Sequence, residues 1–223
     1  MSNNVWCWSL SPSKYVQEAV RNCQNHLKEN YSGEYKLIAN APNPFPLVYE
    51  PEMYVSPLLL PDEASYYHNI IGVMRWMVKL GSVDISIEMS QISSFLPMPR
   101  KGNMVSDLQM MYYLRIRHNS CFVLDPSYAD INLSEFNSDK NWTAFYGYFK
   151  ESKLHNAPKP LGKKIEVIMF VDFNNAGDNT NCCSCTGYMI FMNMSMIYWH
   201  TKKQATVEGA VFGSEFFFHE ARR

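Results

Sequence analysis

VDFNNAGD, residues 171–178, closes an alternating apolar run (Ile165, Val167, Met169, Val171) and sets Asp172 at the end of a predicted strand over 164–172. Outward from it, TGYMIFMN (186–193) and MIYWHTKKQ (196–204) predict two further strands, over 186–193 and 195–200, with Met194 and Ser195 in the tight turn between them. VEGAVFGSEFFF (207–218) then begins a closing helix over 207–222 that carries Glu215. Gly209 and the triplet Phe216, Phe217, Phe218 are poor helix formers, so this helix depends on a sheet to pack against. A strand-borne Asp172 and a helix-borne Glu215 are arranged as carboxylate ligands of a hard divalent cation are.

The N-terminal part reads differently. Residues 11–30 show helical spacing (Tyr15, Val16, Ala19, Val20, Cys23, Leu27) after Ser11 as cap and Pro12 in the first turn. Prolines at 42, 44, 46, 51, 57 and 61 exclude a helix or central strand from 40–61 and predict a semi-rigid linker. A helix capped by Asp62 follows, with Tyr67, Ile70, Ile71, Met74, Met77 and Val78 inward, Trp76 also in the core, and Gly81 as its stop. Further helices are expected over 83–95, with Ile85, Ile87, Met89 and Ile92 as its apolar set, and over 104–117, with Val105, Leu108, Met111, Tyr112 and Leu114 inward. The methionine stripes read as core packing by flexible thioethers. A short strand over 121–124 precedes an irregular polar connection, 125–162, containing one short strand near 145–149. The expected fold class is therefore α+β: a helical block, then a three-stranded sheet with one terminal helix.

These blocks, taken in order, resemble the C-terminal part of a copia-type retrotransposon Pol polyprotein, from the end of the reverse transcriptase through the connection into ribonuclease H. WSLSPSKYVQEAVRN (8–22) is similar to the segment downstream of the polymerase active site, and SYYHNIIGVMRWMVKLGSVDISIEMSQISSFLPMPRKGN (65–103) to the block Y-x-x-L-I-G-x-L-R-W, R-x-D-I-x-x-x-V-S, P-R-x-G-H. VLDPSYADI (123–131), NWTAFYG (141–147) and NAPKPLGK (156–163) continue in family order. The resemblance implies three regions: 1–50, a thumb remnant and Pro-rich linker; 51–162, a connection-like block; and 163–223, the opening half of a ribonuclease H-like domain whose remaining strands and acids are expected beyond Arg223. It further implies magnesium held by Asp172 and Glu215, and two-metal hydrolysis of the RNA strand of an RNA–DNA hybrid. Lys202 and Lys203 are the expected nucleic-acid contacts, and the rest of the Pol polyprotein is an expected partner.

Departures from the family pattern remove charge. Phe173 and Asn174 stand where the family has V-D-A-D, Cys182 and Cys183 replace a paired arginine, Ala210 and Val211 follow Glu208 where the family has E-x-S-[ST], and Asn103 and Ser82 replace a histidine and an arginine. These changes predict an inactive nuclease. No YxDD-like polymerase motif occurs. A non-catalytic binding module is the alternative, expected to show a cationic groove or an exposed apolar patch; a non-functional remnant with an unpaired sheet edge is another.

Composition agrees with a globular chain: 223 residues, 47% hydrophobic, 14% aromatic and a net charge of −1, enough for a core and too balanced for a uniformly cationic surface. Local basic pairs remain at Arg100/Lys101, Arg115/Arg117, Lys163/Lys164, Lys202/Lys203 and Arg222/Arg223. No targeting signal or membrane-length apolar run is read, so the expected location is intracellular, cytoplasmic or nuclear. The six cysteines read as reduced thiols. Cys182 and Cys185 have the spacing of a zinc knuckle but lack two further ligands at matching spacing, so with Cys183 they read as loop residues. His26, His68, His118 and His155 read as surface residues, and the sequon at Asn141 as chance.

Overall fold

The computed structural model describes residues 6–31, 33–35, 41–46, 49–50, 55–130, 147, 156, 158–159, 162–174 and 183–204. Their elements, in chain order, are β1 (Trp8–Leu10), α1 (Ser13–Asn30), α2 (Pro61–Leu80), α3 (Ser86–Ile92), α4 (Lys101–Ile116), β2 (Phe122–Leu124), β3 (Val167–Asn174), β4 (Cys185–Met192) and β5 (Ser195–Lys203). The fold is mixed α+β, with an antiparallel β1–β2 pair and an antiparallel three-stranded sheet of order β3-β4-β5. The expected helix over 207–222, with Glu215, lies outside the described residues, as does the strand expected near 145–149 apart from Gly147.

The four helices enclose one core. Val16, Val20, Cys23 and Leu27 of α1 meet Tyr67, Ile71, Met74 and Met77 of α2, Met89 and Ile92 of α3, and Met104, Leu108, Met111 and Leu114 of α4. The methionine stripes are thus packed inside, as their spacing predicts. Three residues of the expected apolar stripes are corrected: Trp76 is 54% exposed, Ile87 55% and Val105 48%. Each lies off the line of its helix's buried stripe, and helical geometry outweighs hydrophobicity at such positions.

Helix starts also depart from expectation. The cap of α2 is Leu60, not Asp62: Pro61 needs no N–H acceptor in the first turn, and the Glu63 carboxylate accepts the Leu60 N–H at 2.8 Å and the Tyr35 hydroxyl at 3.0 Å. The same device starts α4 at Lys101, three residues before the expected start, where Asn103 Oδ1 accepts the Arg100 N–H at 2.9 Å. Residues 83–95 do not form one helix. A 3-10 turn (Val83–Ile85), α3, and a second 3-10 turn (Ser93–Phe95) follow one another, and the Ser93 and Ser94 hydroxyls donate to the Met89 and Gln91 carbonyls, both at 2.6 Å. Serine hydroxyls that compete for backbone acceptors shorten helices in this way. Gly81 does end α2, at φ 130°.

The β4–β5 turn is Asn193–Met194, one residue earlier than the spacing suggests, because Met192 pairs with Ser195. Asn193 takes φ 53°, a conformation asparagine tolerates, and its side chain accepts the Glu166 N–H and donates to the Pro126 carbonyl, both at 3.0 Å. Ser195 Oγ donates to the Asp125 carbonyl at 2.9 Å, which anchors the hairpin to the segment after β2. The sheet meets the helical block through β5. Trp199 packs on the helical core and on Phe122, with ring centroids 4.6 Å apart, and the Ser86 and Thr201 hydroxyls are 3.0 Å apart.

Candidate nucleic-acid interface

The register places the predicted site residues on the sheet one by one. Asp172 pairs with Gly187, which pairs with Thr201; the next rows are Phe173–Thr186–Lys202 and Asn174–Cys185–Lys203. Side chains alternate between faces along each strand, so Asp172 and Lys203 share one face and Lys202 occupies the other. Two strand spacings separate Asp172 from Thr201, about 10 Å, and Gly187 between them carries no side chain. Asp172 is exposed, on the strand of the sheet farthest from the helices. It sits two residues before the end of β3, not at the end.

Among the described residues no group of three or more His, Cys, Asp and Glu side chains converges as metal ligands do. Cys183 is buried and Cys185 half-buried, while Cys182, Glu208 and Glu215 lie outside the described residues. Of the two sequence-predicted metal ligands, Asp172 alone lies among the described residues.

A different constellation forms where the sheet meets the helices. Gly72, Arg75, Trp76 and Lys79 fall at helical intervals on the solvent side of α2, opposite the buried stripe. They face β5 across a cleft of about 490 Å³ whose other wall is Trp199, His200, Thr201 and Lys202 and whose floor comes from α3. Arg75 Nε donates to Ser93 Oγ at 3.2 Å, which holds the guanidinium on this side. Among the described residues no Asp or Glu lines the cleft. Burial first, then the nearby charges of Lys79 and Lys202, push the His200 imidazole below its ordinary range. The indole N–H of Trp199 is buried with no acceptor among the described residues. An adjoining hollow of about 640 Å³ shares Lys79 and Trp199 and brings in Lys14.

Three cations and an exposed indole, on a concave surface whose described residues include no acid, can bind a phosphate backbone and offer a stacking face. Of the sequence-predicted residues, Lys202 lines the cleft at the β5 rim, on the strand face opposite Thr201. Arg75, Trp76 and Lys79 are not foreseen, although the polar and aromatic stripe at 72, 75, 76 and 79 is visible on a helical projection. No protein-family model, curated protein or solved structure matches this chain.

Proposed function

We propose that this chain is a nucleic-acid-holding module of copia-type Pol ancestry, related to the reverse transcriptase and ribonuclease H region, in which backbone binding is retained and strand cleavage is lost. The observation that carries the reading is the cleft lined by Arg75 and Lys79 of α2 and, at its β5 rim, Lys202, with no Asp or Glu among its described lining residues. Phosphate contacts from lysine and arginine supply most of the affinity of non-specific nucleic-acid binding. The ancestry is supported by the order of elements, a helical block followed by a three-stranded antiparallel meander whose first strand carries Asp172, which is the order the ribonuclease H-like resemblance implies. Loss of chemistry is supported by Asn174 in place of the family's second aspartate. Hydrolysis by two magnesium ions, the active alternative, requires several converging carboxylates.

The test uses a fluorescein-labelled RNA–DNA hybrid with a single-stranded DNA tail, with and without magnesium. The expected result is an anisotropy rise at low salt that does not need the metal, with the RNA strand intact on a denaturing gel. Cleavage by the wild-type protein that disappears in Asp172→Asn would overturn the reading, and so would absence of binding at low salt.

A further inference from the structure

We infer that the α2–β5 cleft takes a single, unpaired strand, with one base stacked on the Trp76 indole and the flanking phosphates on Arg75, Lys79 and Lys202. The inference rests on the nucleic-acid reading above and adds which form of nucleic acid enters and which residue selects it.

Size argues first. A volume of about 490 Å³ falls in the range of sites that enclose a small organic ligand, roughly 300–1,000 Å³, and that range fits about one or two nucleotides rather than a double helix. A duplex can lie across such an opening, but its bases are stacked inside and cannot reach the walls.

The position of Trp76 argues second. A solitary exposed aromatic residue is ordinary on a protein surface. Trp76 is not solitary in its chemistry: Arg75 adjoins it, Lys79 lies three residues on, and Lys202 stands on the opposite wall. Alternating cation and aromatic surface matches a single strand, in which every base has a free face and every linkage a charge. Stacking does not depend on base identity, so the cleft tolerates any sequence.

Gly72 argues third. It lies four residues before Trp76 on the same side of α2, and a Cβ built there meets no atom within 4 Å. The groove beside the indole is therefore open along the helix, leaving room for the strand to enter.

The experiment compares the tailed hybrid with a blunt hybrid and with a labelled oligothymidylate of about ten nucleotides, a length within the usual footprint of single-strand sites. The tailed hybrid and the oligothymidylate are expected to bind at least about tenfold tighter than the blunt hybrid. Trp76→Ala should remove about tenfold of the single-strand affinity, the scale of one stacked base, and leave the blunt hybrid unchanged. Trp76→Phe keeps a stacking face, so it should retain most of the affinity while losing the share of the tryptophan quench that comes from Trp76. Gly72→Glu, which has space to be accommodated, should weaken single-strand binding by repulsion. Equal binding of tailed and blunt hybrids, with Trp76→Ala within twofold of wild type, would overturn this inference and leave the wider reading standing. If none of the three probes binds at low salt, the wider reading fails and this inference fails with it.

Discussion

Met74, Met77, Met104 and Met110, all in helices, are fully buried, whereas Met189 and Met192 on the central strand of the sheet are 43% and 39% exposed. The same side chain meets opposite surroundings because the helices close on one another, while the sheet is held to the rest through its β5 edge. Apolar exposure persists on β3, the strand farthest from the helices, where Val167, Phe170 and Val171 remain open. The molecule thus joins a closed helical core to a sheet held along its β5 edge and at its β4–β5 turn. The β5 edge is also where the cations and the two cleft tryptophans gather. Binding there bridges the two halves, so a strand in the cleft would stabilise the docking of sheet on helices.

Substitutions at four places test the contrast: the helical core against the sheet, the Gly81 joint, Asp107 and Gly72. The largest effect is expected in the helical core: Ile71→Ala or Met74→Ala should cost about 2–5 kcal/mol in urea unfolding, and Val171→Ala less than about 1 kcal/mol. Equal losses would erase the distinction between the halves. Next is Gly81, at the joint, where a Cβ would stand 3.0 Å from the Phe122 ring on a backbone at φ 130°. Gly81→Ala should cost roughly 1–3 kcal/mol, and adding Phe122→Ala should relieve the contact but not the backbone strain.

Asp107 carries the pH dependence. It is completely buried in α4, its two carboxylate oxygens have no partner among the described residues, and burial holds its pKa well above the ordinary 3.8. Because the folded chain keeps a proton that the unfolded chain releases, stability should fall by about 1.4 kcal/mol per pH unit as pH rises above 3.8 toward the folded value. Asp107→Asn should flatten that slope in melting curves taken across pH. A profile identical to wild type would show that Asp107 ionises freely in the folded protein. The smallest effect is Gly72→Ala, which should raise stability by about 0.5–1 kcal/mol by restoring helix propensity at a position with space for the methyl. A loss there would mean the helix needs the glycine.

The helices were legible where periodicity and punctuation agree, as in α2, whose stripe from Tyr67 to Val78 and stop at Gly81 both hold. The three strands were legible from alternation, with ends shifted by up to three residues at Val167 and Lys203, because hydrogen-bond pairing rather than apolar pattern sets where a strand ends. Asp107 was not legible as a core residue, since a carboxylate between apolar positions reads as surface until its neighbours enclose it. The cleft was only half legible. Lys202 stands out as a basic pair with Lys203, but its partners Arg75 and Lys79 lie more than a hundred residues away, and only tertiary packing brings α2 opposite β5.

The most direct test is the salt dependence of oligothymidylate binding by wild type and by the triple variant Arg75→Gln, Lys79→Gln, Lys202→Gln. Each phosphate contact to a single strand contributes about 0.7 to the slope of log affinity against log salt, so the triple variant should lose about 2 from that slope. A slope unchanged from wild type, with the variant folded as judged by its melting curve, would contradict the assignment of the cleft as the place where nucleic acid is held.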